Sequence, residues 1–394
     1  MDIMKRLFDR QKDDSSDPPV ESDTTDSPPP AFKIARHPEF EEDLRWNPDN
    51  IDAYLIYADW LQEQGDPRGE LIVLQHRLLQ NPKDEEAELA ESRLMSKYEK
   101  YFTGGISQSS LQLTWRCGFV RSARLARYLD EDGSFAEMLT TLLLLPTTLL
   151  LSDLTLGMTD FSGAPGYDEV MPPLCGAEPR PPLRRLFLGD FEYPDESEMS
   201  WFITGDVSSI WLAFRDLERV VVQGGEFELG EIFAPNLRQF EVRTGSLNRN
   251  HLNSITNAFW PKLEKLEIWF GDSGYDAEGG IEDIRLLLDG VTVPELVHLG
   301  LKNAEFTNEI CREIVRAPIL RQLAVLDLSM GLMDMEGARI LANNADALAH
   351  LQRLDVGRNC IPDEGLELLR ELAPEVVMDG QKDPDDYYYV SVGE

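Results

Sequence analysis

Apolar residues recur in the second half of the chain as Leu-x-x-Leu-x-Leu, most clearly at Leu183-Arg184-Arg185-Leu186-Phe187-Leu188. Variants with one or two apolar replacements open at Leu217, Leu237, Leu263, Leu296, Leu323 and Leu351, and an earlier copy opens at Leu151. Alternation inside each copy predicts a short strand whose second and third leucines enter a core while the residues between them face away. Between copies the period changes: Gly337 to Ala342 and Gly365 to Leu369 place apolar residues on one stripe at helical spacing, so strands return through helices. Burying one leucine stabilises by roughly 1.5–3 kcal/mol, so a stack of such rungs has ample driving force.

The interval between copies averages about 28 residues, the period of a leucine-rich repeat. The expected fold is therefore an α/β solenoid, with a curved parallel sheet on the concave side and helices on the convex side. Spacing is irregular in the middle: 34 residues separate Leu183 from Leu217 and only 20 separate Leu217 from Leu237. Loops Gly189 to Gly205 and Gly271 to Gly280 are expected to project there.

A helical pattern precedes the repeats. Asn47-Pro48 reads as a cap with proline at the first helical position, followed by Ile51, Tyr54, Leu55, Ala58 and Leu61 at helical spacing. Gly65 stops this helix and Asp66-Pro67 caps the next, which carries Leu71, Ile72, Leu74, Leu78 and Leu79. A third helix is expected from about Asp84 to Tyr101. Trp60 reads as a core anchor, and Arg68 as the partner of Asp59 or Glu63. Trp115 to Leu125 alternates like a strand and is expected to cap the open end of the stack. Residues 1–34 hold Asp, Ser, Thr and Pro with little to bury and read as a disordered tail. The expected organisation is then a small α-helical domain at 35–112, the solenoid at 113–380, and a cap or tail at 381–394 whose Asp385 to Val390 pairs with the last rung.

Two resemblances bear on this organisation. The run Y-A-D-W-L-Q-E-Q-G-D-P-R-G-E-L, Tyr57 to Leu71, resembles the bacterial repeat-companion domain, whose core is A-D-W-L-x-E-x-G-D-P-R-G-E. That resemblance covers about Asn47 to Leu79 and implies no chemistry, only company with leucine-rich repeats. Leu326-Asp327-Leu328-Ser329 with the helix opening Asp334-Met335-Glu336-Gly337-Ala338, and Leu354-Asp355-Val356-Gly357-Arg358-Asn359 after it, resemble the ribonuclease-inhibitor subtype. Together with Glu267 to Asp272, Leu299 to Phe306 and the closing Tyr389 to Glu394, they also resemble a bacterial leucine-rich family that has no assigned biochemistry.

Charge narrows the possible partners. With 37 basic against 72 acidic residues, a formal net of −35, the chain repels phosphate backbones and anionic lipid. Nucleic acid and membrane are therefore not expected, and a protein partner is, with a basic protein as one option. The most apolar run, Met138 to Ser152, is interrupted by Pro146 and reads as a buried helix leading into a strand. Cys117, Cys175, Cys311 and Cys360 have no metal-ligand spacing and suit a reducing compartment, so a cytoplasmic location is expected. No nucleotide-binding, zinc-protease or hydrolase motif occurs, and the acidic loop Asp272 to Gly279 lacks the glycine and glutamate of a calcium loop. No catalytic residue, cofactor or metal is expected.

If the repeats align, the residue before the second leucine runs Asp153, Arg185, Arg219, Gln239, Lys265, His298, Val325, Arg353. The residue between the inner leucines runs Thr155, Phe187, Val221, Glu241, Glu267, Gly300, Asp327, Asp355, and the next column Gly157, Gly189, Gln223, Arg243, Trp269, Lys302, Ser329, Gly357. A largely basic column thus lies beside one that turns acidic. It reads either as an internally balanced ladder or as a docking face around an exposed Trp269 flanked by arginine. The candidate partner-binding set is Arg219, Arg243, Lys265, Glu267, Trp269, His298, Lys302, Asp327, Arg353 and Asp355. The expected function is a non-enzymatic protein-interaction scaffold. The alternatives are an acidic, immunity-like neutraliser of a basic protein, or a regulator of an enzyme such as a GTPase acting through Arg358; Asn359 beside it otherwise reads as a repeat-corner asparagine bonded to backbone.

Overall fold

The computed structural model describes residues 34–127, 133–160, 165–383 and 389–393, so the stretch expected to be a disordered tail falls outside the described residues apart from Ile34. Strands are β1 (Leu111–Arg116), β2 (Phe119–Leu125), β3 (Asp153–Gly157), β4 (Arg185–Asp190), β5 (Gly205–Asp206), β6 (Arg219–Gln223), β7 (Phe227–Glu228), β8 (Gln239–Arg243), β9 (Lys265–Gly271), β10 (His298–Ala304), β11 (Val325–Asp327), β12 (Arg353–Asp355) and β13 (Glu375–Val377). The short β5 and β7 pair with each other, and the other eleven form one sheet in chain order. Each strand from β3 to β12, that short pair aside, begins two residues after the leucine that opens its motif.

The register follows from period-2 burial. Asp153, Arg185, Arg219, Gln239, Lys265, His298, Val325 and Arg353 stand side by side on neighbouring parallel strands, and so do the eight residues two positions later. The intervening side chains, such as Leu186, Val220, Phe240, Leu266, Leu299, Leu326 and Leu354, form one apolar core with the return helices. Those helices include Arg249–Thr256, Thr307–Ile314 and Met335–Asn343. The third expected column departs from register at Gly157, which pairs with Asp190 and not with Gly189. Gly189 has φ +86°, and its Cα lies so close to the Gln223 carbonyl that a side chain has no room, so the strand bulges there.

At the first edge, β1 and β2 form an antiparallel hairpin, and β2 is the strand that pairs with β3. The sequence showed one capping strand where there are two, because β1 mixes exposed and half-buried positions. At the other end β13 adds a rung that has no full leucine motif. The apolar run 138–152 is helix Phe135–Leu144 followed by a 3-10 turn at Pro146–Leu150 leading into β3. Among the described residues no helix is long and apolar enough to cross a membrane.

Ahead of the sheet lie α1 (Pro38–Trp46), α2 (Ile51–Glu63), α3 (Pro67–Gln80), α4 (Glu85–Lys97) and α5 (Glu99–Thr103). Asn50, and not Asn47, caps α2 by accepting from the Ala53 N–H, while Asn47 closes the unforeseen α1. Asp66 caps α3 as expected, and Gly65 takes φ +74° at the corner. The third expected helix is broken at Tyr98 into α4 and α5. Trp60 is half-buried, and Tyr57 is the fully enclosed ring of this layer.

Arg68 pairs with neither Asp59 nor Glu63, both of which are exposed. Its guanidinium is wholly buried and donates to Asp66 Oδ2 at 2.7 Å, to the Ala35 carbonyl at 2.5 Å and to the Pro146 carbonyl at 3.2 Å. The last bond reaches the turn that feeds β3. Gln75 Oε1 accepts from the Gly118 N–H at 2.8 Å, in the hairpin corner, which docks α3 onto the sheet edge a second time.

Candidate interaction face

Helices cover one face of the sheet, and the other presents the columns that face away from the leucines. Two carboxylates organise that face. Glu241, 1% exposed, lies 3.2 Å from Arg219, 2.5 Å from Arg243 and 3.3 Å from Lys265. Glu267 lies 2.9 Å from Lys265, 3.0 Å from His298 Nε2 and 3.8 Å from Lys302. Lys302 continues to Asp327 at 2.9 Å, and Arg353 bridges Asp355 at 3.2 Å and Glu375 at 3.0 Å.

Burial alone would raise the Glu267 carboxyl, but His298, Lys302 and Lys265 outweigh it and hold it well below the usual carboxylate range. Glu241 is lowered in the same way: Arg243 and Lys265 overcome its burial. Lys302 is raised because Asp327 and Glu267 outweigh its desolvation. Asp355 is raised by burial and by the like charge of Asp327. Each cation thus reaches across a column, so like charges stacked about 4.8 Å apart are relieved by the neighbouring column.

Gly300 makes room for this arrangement. It stands between Glu267 and Asp327 in register, and a Cβ placed on it would lie 2.8 Å from Glu267 Cγ. The space above it is where the Glu267 and Lys302 side chains lean towards each other.

Trp269 is half-buried and packs against the core rather than standing exposed, and the cation over its ring is Lys302, with Nζ 5.8 Å from the centroid, rather than an arginine. Arg243 instead covers the Phe187 ring at 5.4 Å. The face therefore brings together Arg219, Arg243, Lys265, Glu267, Trp269, His298, Lys302 and Asp327, and continues through Asp355, beside Asp327 in register, to Arg353 and Glu375. Sequence reasoning placed Glu241 in register but left it out of the site. Its position between three cations in adjacent columns was the available signal.

Other sequence candidates resolve into structure. Asn359 is buried; its Nδ2 donates to the Leu328 and Val356 carbonyls and its Oδ1 accepts from the Met333 N–H. That is the repeat-corner role, and exposed Arg358 simply projects beside it. Asp272 uses its Oδ1 to accept from the Gly274 N–H, and no group of ligands suited to a metal ion occurs among the described residues. All four cysteines are free thiols, and Cys117, Cys311 and Cys360 are buried.

No family model matches the chain, and no curated protein does. Among solved structures, a structural-genomics crystal structure of a Bacteroides fragilis protein superposes with a TM-score of 0.63 at 24% identity, covering 78% of this chain and 86% of that one. This likeness concerns the fold alone. An internalin from Listeria monocytogenes aligns at 13% identity over 67% of this chain and 82% of its own, with a TM-score of 0.30, too low to carry an argument. What the chain shares with the Bacteroides protein is a mixed α/β fold, here a large, mostly parallel sheet backed by helices.

Proposed function

We propose that this protein is a non-enzymatic scaffold that binds a partner protein across the open face of its repeat sheet, around Lys265, Glu267, Trp269, His298 and Lys302. One observation carries the reading: the Trp269 indole Nε1 and the Arg243 Nε are enclosed without a hydrogen-bond acceptor among the described residues. Enclosed donors left unpaired are costly, and an acceptor supplied by a docked partner relieves that cost after a small side-chain rotation. The patch is two-signed, so the partner it suits carries both charges in a matching pattern rather than a uniformly basic surface. In this reading the leucine-rich-repeat solenoid spans 113–380, and the helices at 35–112 are a repeat-companion unit that closes its first edge. The protein would work in a reducing cytoplasm, where four free thiols persist.

The test is capture from native lysate by the intact protein and by Trp269→Ala and Arg243→Ala variants, at low and high salt. Both variants are expected to stay folded, at a somewhat lower melting temperature, and to lose the partner by about tenfold or more at a temperature where both are native. A partner held equally by both variants would remove this face from the proposal. A partner lost in the native protein at high salt, with both variants unaffected at low salt, would favour the acidic-neutraliser alternative instead.

A further inference from the structure

The last described residues are held by the sheet edge as a peptide would be. Of Asp385 to Val390, which the sequence placed against the last rung, only Tyr389 and Val390 are described, and Tyr389 to Gly393 belong to no strand. They run back past the C-terminal ends of the earlier rungs, and residues 384–388 lie outside the described residues. The Ser391 N–H donates to the Met330 carbonyl, just beyond β11, at 3.0 Å. In β10, the Asn303 side chain engages both backbone groups of Val392: Nδ2 donates to the Val392 carbonyl at 2.6 Å, and the Val392 N–H donates to Oδ1 at 2.9 Å. Lys382 Nζ donates to the Tyr389 carbonyl at 2.7 Å.

Burial alternates along the segment. Val390 and Val392 are 7% and 2% exposed, while Tyr389 is exposed and Ser391 is half-buried between the two valines. Val390 enters a small pocket with Leu332 and Cys360, and Val392 joins the main core. Gly393 passes over Gly245, where a Cβ on Gly245 would collide with the Gly393 carbonyl oxygen, and a Cβ at position 393 would stand 3.2 Å from the Tyr275 ring, so a side chain there needs that ring to shift slightly. Asn303 is fully buried with φ +55°, a left-handed conformation that asparagine tolerates better than most residues.

Each of these hydrogen bonds ends on a backbone atom of the segment. The groove therefore reads the backbone of a short segment that bends at Ser391, with valines at alternate positions and glycine next. Backbone bonds, most of them to the Asn303 and Lys382 side chains, supply affinity, and the pockets for alternate side chains supply selectivity. We propose that the groove along the ends of β9, β10 and β11 is a peptide-docking site that accepts a Val-x-Val-Gly segment of a partner protein, bent at the residue between the valines, with residues 389–393 as its resident occupant. The resident segment is a built-in competitor. Covalent attachment gives it an effective concentration of about millimolar, so a partner peptide enters when the resident is weakened or outcompeted. The site is separate from the open face and does not depend on that face binding anything.

The test uses a fluorescent peptide, capped at both ends, with the sequence Tyr-Val-Ser-Val-Gly-Glu. It is titrated against the full chain and against the full chain carrying Val390→Ser with Val392→Ser. Binding at least tenfold tighter to the double variant is expected. Adding Asn303→Gly, which keeps the left-handed backbone at ease and removes the amide clamp, should reverse that gain. Equal affinity for the native chain and the double variant, or indifference to Asn303→Gly, would overturn the proposal. Should the double variant fail to fold, hydrogen exchange on the Asn303→Gly single variant decides: faster exchange confined to residues 389–393 supports a releasable occupant. Faster exchange throughout the sheet makes the segment a structural strap only.

Discussion

The helical layer and the open face of the sheet both set arginine or lysine against carboxylate, and they use the contact in opposite ways. Around Arg68 the pair is sealed. Both side chains are fully buried, Tyr101 donates to Asp66 Oδ1 at 2.7 Å, and the guanidinium spends its remaining donors on the Ala35 and Pro146 carbonyls. On the open face the charges are shared: Glu241 takes Arg219, Arg243 and Lys265, Lys265 touches both Glu241 and Glu267, and Lys302 touches both Glu267 and Asp327. A sealed pair fixes one geometry, because any other leaves a charge unpaired in a low-dielectric interior. A shared ladder, with buried carboxylates and partly exposed cations, offers Glu241 and Glu267 more than one partner each, which is what the proposed docking surface requires. The same chemistry thus locks one region to its neighbour and keeps another available.

The sharpest way to break this contrast is Arg68→Met. It strands the Asp66 carboxylate beside Tyr101 and unties the helices from the turn at Pro146, so a loss of about 3–5 kcal/mol in chemical denaturation is expected. A loss below about 1 kcal/mol would show that the layer is held by its apolar core alone. Glu241→Gln on the face should cost less, about 1–3 kcal/mol, since Lys265 retains Glu267 and Arg243 retains the Phe187 ring. An equal or larger loss than at Arg68 would mean that the ladder is a structural lock as well.

The smallest effect is pH-dependent. The Glu267 carboxyl is depressed below its ordinary value of 4.5 because a hydrogen bond from His298 and the charges of Lys302 and Lys265 overcome its burial. A depressed carboxyl contributes stability that is fully present above the unfolded value and is lost as pH falls through the folded one. Thermal stability should therefore lose this contribution only below about pH 4.5, and Glu267→Gln should flatten that part of the profile. A profile in acid that Glu267→Gln leaves unaltered would remove Glu267 as the organising charge.

Strand positions were legible because alternation is local. Lys265, Glu267 and Trp269 fall on one face whatever lies elsewhere, since their neighbours Leu266, Ile268 and Phe270 must be buried. The first two columns therefore aligned across eight strands. The third slipped at Gly189, where a close approach to the next strand forces a bulge that no pattern of leucines reveals. The partner of Arg68 was misread as Asp59 or Glu63, whereas capping geometry brings Asp66 to the same corner. Trp269 was expected to stand out because its column is polar, but Lys302 lies across its ring and half covers it.

The sequence by itself thus determined which residues form the eight leucine-motif rungs, which side of each is apolar, and that the chain carries a large excess of negative charge. Each of these depends only on residues within a few positions of one another, or on composition. The tertiary structure decided which charges meet, that Gly300 leaves the space where Glu267 and Lys302 converge, and that residues 389–393 return to Asn303, 89 positions away in the chain. Those outcomes depend on the path of the backbone and the reach of side chains from different rungs, and neither is encoded in the period of a repeat.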